Sequence, residues 1–199
     1  MQHAAIGFRV HSGWTSLVVV ALEKGKPIVL ARQRPHLVAT FSYTFRQPYH
    51  TAEKMSLDEA GVFLERQQRE SRRLAIEALK YAKSDVAQQG YTVTRAALLT
   101  ASGRPLPELA KILAAHSLIH TADGEFFRGA LVHACKKCRL ALHSMKDREL
   151  MSSACPSLRH TPVALTRLLM ELGKPLGAPW SQDEKFATLA AWLALVNCT

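Results

Sequence analysis

Ile6-Gly7-Phe8-Arg9-Val10-His11-Ser12-Gly13-Trp14-Thr15-Ser16-Leu17-Val18-Val19-Val20 is the stretch whose reading decides the fold. Its apolar residues alternate or run together on either side of a His-Ser-Gly-Trp break, the pattern of two strands joined by a tight turn. Lys24-Gly25-Lys26-Pro27 punctuates the chain again, Ile28 to Ala31 reads as strand, and residues 36–43 predict a further one. The chain therefore opens as a β-meander. Arg46-Gln47-Pro48-Tyr49-His50 then forms a polar connector, in which Pro48 biases Gln47 away from helical geometry. Connectors carry functional groups more often than the elements they join, which makes Tyr49 and His50 candidate binding residues. The plainer alternative is that both only pack or cap.

Ser56 with Glu59 three residues on is a capping box. It predicts a long helix from Leu57 to about Ala87, with Val62, Phe63, Leu74, Ala75, Ala78, Leu79 and Ala82 near helical spacing. Glu65–Arg69 and Arg73–Glu77 suit its solvated face. Tyr91 to Thr100 is the strongest strand pattern in the chain. Ala101-Ser102-Gly103-Arg104-Pro105 follows as a loop before a helix over Leu106–Ala115. A strand, a Gly-containing loop and a helix can seat an anion on free N–H groups, which brings in Arg104, although one Gly gives no phosphate-loop spacing. Further helices are predicted over 126–138, 145–155 and 162–172, with a short strand over 139–143. A last helix capped by Ser181 carries Phe186, Leu189, Trp192 and Leu193 as an apolar stripe. The order predicts one α/β domain over 1–199, with 158–199 as a helical C-terminal extension.

Composition narrows the function classes. At 199 residues with 48% hydrophobic content, the chain can bury a sizeable core. No apolar run approaches the roughly 20 residues that span a bilayer, and the N-terminus lacks the basic and apolar regions of a signal peptide, so a cytoplasmic protein is expected. Net charge is +10, concentrated in residues 1–55 (seven Lys/Arg against two Asp/Glu) and 91–145 (seven against three). Such a balance permits nucleic acid or another phosphate-bearing ligand as partner without demanding one.

The densest polar grouping lies in Ile112-Leu113-Ala114-Ala115-His116-Ser117-Leu118-Ile119-His120-Thr121-Ala122-Asp123-Gly124-Glu125-Phe126-Phe127-Arg128. On one reading Thr121 or Asp123 caps a new helix and the two histidines sit at a helix joint. On the other, His116, His120 and Glu125 converge on a pocket as a catalytic group, with Arg128 as a binding residue. A His pair at i, i+4 shares a face only if one helix runs through both. The zinc-protease helix has Glu directly after the first His; Ser117 stands there, which excludes that class. Cys135-Lys-Lys-Cys138 with His133 and His143 invites a zinc or redox reading, but no second pair has matching spacing, so buried or incidental thiols are expected.

The opening stretch and the element order resemble the ribonuclease H-like superfold, whose members include nucleases, actin-like ATPases and, more loosely, the middle domain of eukaryotic-type release factors. The expected architecture is a mixed sheet with a three-stranded meander, a long helix, further strands and helices, and C-terminal helices. A second resemblance, to a small bacterial family without a known activity, rests on Gln-Pro-Tyr-His and His-x-Leu-Ile-His-Thr-Ala-x-Gly-Glu. In nucleases and ATPases of the superfold the first strand supplies an Asp for magnesium. Residues 1–22 hold no acid, and the matching region offers Arg9 or His11. Two-metal phosphoryl chemistry needs clustered carboxylates, and the release-factor Gly-Gly-Gln is absent. Two functions remain: binding of nucleic acid or another anionic ligand, or a His-dependent or metal-assisted hydrolase at His116, His120 and Glu125, faced by His11, Tyr49 or His50. The sequence names no metal, cofactor or oligomeric state.

Overall fold

The computed structural model describes residues 2–101 and 105–196. β1 (Gln2–His11), β2 (Trp14–Glu23) and β3 (Lys26–Gln33) form antiparallel hairpins. Lys24 and Gly25 both take positive φ, +49° and +77°, as the two-residue turn favoured by twisted strands requires. Residues 36–43 do not make the expected strand. Pro35 has no N–H to extend a ladder, and the segment contributes one isolated bridge, Trp14 to His36, before turning into α1 (Tyr43–Arg46) and α2 (Pro48–Ala52).

The capping box at Ser56 and Glu59 is formed and opens α3 (Leu57–Gln88), which returns the chain to the start of β1. β4 (Tyr91–Thr100) pairs parallel to β1, and β5 (Ala141–Lys146) parallel to β4, giving the sheet order β3-β2-β1-β4-β5. α4 (Leu109–Leu113) and α5 (His116–Lys137) lie between β4 and β5; α6 (Leu150–Leu158), α7 (Pro162–Gly173) and α8 (Gln182–Val196) follow. The predicted helix break at Ala122-Asp123-Gly124 does not occur, and α5 runs through it unbroken.

Alternation along the strands divides the core in two. Ala4, Ile6, Phe8, Leu17 and Val19 meet Ala75, Leu79 and Ala82 of α3 and Phe127, Leu131 and Ala134 of α5. On the other face Ala5, Val18, Val20, Ala97 and Leu99 meet Ala187, Ala190, Ala191 and Ala194 of α8 and Leu165 and Leu169 of α7. Small residues let α8 lie close on β1. A Cβ on Gly7 would stand 1.8 Å from the Ala187 carbonyl oxygen, so no larger residue fits there. Among the described residues no helix is long and apolar enough to cross a membrane.

Candidate metal centre

α5 must run antiparallel to β4 and β5 to connect their ends, which puts its first turn at the end of the sheet where β4 finishes. His116 and His120 occupy that first turn, one above the other. Asp123, three residues further, lies about 60° around the helix from His120 at 100° per residue and shares their stripe. α2, which carries His50, packs beside this turn: Tyr49 joins the cluster of Ile112, Ile119 and Ala122, while Ala52 packs on Ala60 and Leu64 of α3.

The result is a group of three imidazoles. His50 is buried, whereas His116 and His120 are exposed. Their ring centroids are 4.5 Å apart for His50 and His120, 4.5 Å for His116 and His120, and 5.3 Å for His50 and His116. One nitrogen from each lies within 4.8 Å of the others. The Nε2 atoms of His116 and His120 are 3.1 Å apart. Two nitrogens so placed share one proton or one cation, because a proton on each would set two N–H groups against each other.

Asp123 is the second half of the site. It is 5% exposed, accepts the Tyr49 backbone N–H at 2.7 Å, and lies 2.5 Å from His50 Nδ1. A carboxylate on Nδ1 holds the proton there and leaves the His50 Nε2 lone pair free, the arrangement that orients metal-ligating histidines. Burial pushes the Asp123 carboxyl above its ordinary value, against the bonds from His50 and Tyr49 that pull it down. Burial, with the Asp123 charge beside it, also raises the Tyr49 phenol. Three imidazole nitrogens with an outer carboxylate and an open side suit a divalent transition metal. A tetrahedral site with bonds of about 2.0–2.1 Å needs nitrogens about 3.3 Å apart, so the His116–His120 pair, at 3.1 Å, is already close to that spacing.

The other sequence candidates lie elsewhere. Glu125 is two residues past Asp123, about 200° around α5; it bonds Arg128 at 3.0 Å, and the Arg128 guanidinium covers Gly124. Arg128 is thus tied to Glu125, away from the histidine stripe. Arg104 lies outside the described residues. His11 stacks on Trp14 at 4.2 Å on the opposite side of the sheet. Cys135 is buried in the core with its thiol pushed up to about 12 by burial, which suits neither redox nor metal chemistry. Sequence reasoning missed Asp123 as a partner of His50. The signal was His-x-x-x-His-x-x-Asp, which sets all three on one stripe once the helix is continuous.

These geometries belong to a fold class that can be stated. The chain is an α/β protein of ribonuclease H-like architecture. Among solved structures it is similar to Thermus thermophilus RuvC, alone and in complex with a Holliday junction substrate. Each comparison gives 10% identity and a TM-score of 0.51 over 96% of this chain, covering 92% and 91% of those chains respectively. A member of the Ppx/GppA family from Aquifex aeolicus follows at 12% identity and a TM-score of 0.34, over 77% of this chain and 39% of that one. No family profile matches the sequence, and no curated protein matches it.

The likeness fixes the fold and no more. Where the superfold's first strand would offer a metal-binding Asp, β1 offers Arg9. Its guanidinium lies 3.0 Å from Asp147, after β5, and 2.6 Å from Asp183, at the start of α8. His11 Nε2 stands 3.1 Å from the same Asp183 oxygen without hydrogen-bond geometry. A fixed guanidinium already bridges both carboxylates and occupies the space between them, so these residues do not fit a magnesium site.

Proposed function

We propose that the chain is a metal-assisted hydrolase whose divalent transition metal, zinc by ligand type, is held by His50, His116 and His120. The observation that carries this reading is the buried Asp123 carboxyl 2.5 Å from His50 Nδ1, the kind of outer contact that orients metal-ligating histidines. His116 and His120 face solvent, so the remaining coordination position is open to substrate, as catalytic sites require. A divalent cation held by His50, His116 and His120 would supply polarisation of a carbonyl or phosphoryl oxygen and activation of water near neutral pH. The chain's own part is to bring the three imidazoles together from α2 and α5 and to orient His50 through Asp123, with Tyr49 packed on Ile112 and Ile119 beside them. The free thiols Cys135, Cys138 and Cys155 suit a reducing, cytoplasmic setting.

The test is metal content of untagged protein by mass spectrometry, with hydrolysis of activated carboxylic and phosphate esters before and after chelation. About one zinc per chain, lost in His116→Ala/His120→Ala together with turnover, supports the reading. A zinc-supplemented wild type that holds no metal refutes it. A second reading, binding of nucleic acid or another anionic ligand, is favoured by the net charge of +10. The Holliday junction in the RuvC complex gives it a precedent on this fold.

A further inference from the structure

We propose that the cleft between residues 39–45 and α3 binds single-stranded nucleic acid. The assignment rests on the anionic-ligand reading, to which it adds the site and the form of the strand, and is independent of the histidine centre.

The cleft encloses about 630 Å³, within the range of ligand sites. Arg66, Arg69 and Arg73 line one wall at i, i+3 and i+7 of α3, a single helical stripe. At 1.5 Å rise per residue they span about 10 Å, longer than one phosphate group. Glu70 is the acid that lines the same wall. Arg73 bonds Glu70 and Glu77 at 2.6 Å, Arg69 stands 3.8 Å from Glu65, and Arg66 makes no ion pair among the described residues. The opposite wall comes from a segment without counter-charge: residues 24–52 contain no Asp or Glu. Arg66 and the loosely held Arg69 are thus cations with capacity for phosphate.

Charge alone would admit any anion. The same segment adds flat surfaces. The Arg34 guanidinium lies on the Trp14 ring at 3.5 Å, and His36 stacks on Phe41 at 4.4 Å, with Arg46 4.5 Å from the Phe41 ring. Arg34, His36 and Phe41 are exposed, so both stacks turn a flat face to solvent, and Arg34 has the half-buried Trp14 behind it. Tyr43 is 62% exposed. Planar cations and aromatic rings beside a basic groove are what unpaired bases stack on; a duplex offers its phosphates but hides its base faces, and a phosphorylated metabolite has no run of them.

The test is fluorescence anisotropy of a short mixed-sequence oligonucleotide, single-stranded and as duplex, across about 50 to 200 mM salt. Wild type should prefer the single strand and weaken as salt rises. Arg66→Gln/Arg69→Gln changes two exposed side chains, so folding is retained and checked by circular dichroism. It should lose at least about tenfold in affinity, with the log–log salt slope reduced by about 1.4, from 0.7 per phosphate contact. Tyr43→Ala should lose about fivefold with the slope unchanged, because stacking releases no counterions. His116→Ala/His120→Ala should bind as wild type does, so failure of the metal reading leaves this result intact, and the reverse. Wild-type affinity in the arginine variant, no binding by wild type, or equal affinity for duplex overturns the proposal. Displacement of the strand by inorganic phosphate at equal phosphate concentration also overturns it, assigning the cleft to a small phosphorylated ligand.

Discussion

Replacing Asp123 by Asn tests the centre at the group that orients it. The amide keeps the shape, and its carbonyl can still accept the Tyr49 N–H. Its N–H then turns to His50 Nδ1, which becomes an acceptor, and the imidazole proton moves to Nε2. That is the wrong tautomer for a metal ligand. Without metal the exchange costs little, since each buried group keeps a partner. Burial raises the Asp123 carboxyl in the folded chain, so the native state binds its proton more readily than the unfolded one. Stability from this group is then fullest below the ordinary carboxylate range and falls as pH rises through the folded value. Asn removes that neutral-pH cost. With metal the balance reverses, because loss of an outer-shell carboxylate costs about 10–100-fold in metal affinity. At metal one hundred times the wild-type Kd, binding adds about 2.7 kcal/mol, of which the variant keeps about 0.4–1.4. The difference, about 1.3–2.3 kcal/mol, corresponds to about 3–9 °C for a chain of this length. Thermal unfolding with and without zinc, beside a chelator competition, measures both. A variant that binds zinc as tightly as wild type, or loses the same Tm with and without zinc, refutes the argument.

Glu125→Gln should leave zinc content and turnover within about twofold of wild type, since its partner is Arg128 on another face of α5; a loss matching His116→Ala would restore it to the centre. Gly7→Ala forces a methyl against the Ala187 carbonyl, 1.8 Å from the required Cβ position, and α8 must lift from β1. Overpacking of that kind costs about 1–3 kcal/mol or more, and an unchanged midpoint in urea would show that α8 is not seated as described. Iodoacetamide near pH 8 should label the half-buried Cys138 and Cys155 in native protein and spare Cys135, whose buried thiol is raised to about 12. Labelling of Cys135 at their rate would contradict its burial.

Much of the scaffold was readable because its signals are local. The Gly13 and Lys24-Gly25 turns, the Ser56–Glu59 capping box and the apolar run of β4 each depend on neighbours in sequence. The failures were of two kinds. Residues 36–43 carry strand-like composition, but Pro35 and the single Trp14 bridge leave them outside the ladder. Ala122-Asp123-Gly124 reads as a turn by composition, yet Ala122 and Asp123 are buried inside α5 and Arg128 covers Gly124. Tertiary packing outweighed a weak helix propensity there. That one misread break moved Asp123 into a capping role and drew attention to Glu125. His116 and His120 were visible as a pair from spacing alone. The contact of His50 with them joins α2 to α5 across the chain, and no local rule could supply it.

The positions of Arg9 and of the histidines belong to one argument. Both stand at the end of the sheet where β1 and β4 finish, on opposite faces: Arg9 under α8, the histidines on α5. On the α8 face a guanidinium binds Asp147 and Asp183 from two separate elements, joining β1, β5 and α8 at a point that carboxylates alone would push apart. The Arg9 guanidinium also lies 4.8 Å from the Phe186 ring centre, a second contact with α8. Arg9→Ala would leave two part-buried carboxylates facing each other and should cost about 1–3 kcal/mol. Added magnesium separates the two meanings of that site. If the scaffold merely lacks its cation, millimolar magnesium should restore the lost Tm in Arg9→Ala while leaving wild type unmoved. If Arg9 works through its contact with Phe186, methionine at the position should restore stability and magnesium should not. Either result leaves the zinc content of the histidine centre unchanged, because α5 and α2 are built on the other side of the sheet; a loss of zinc in Arg9→Ala would mean that the two faces are not independent.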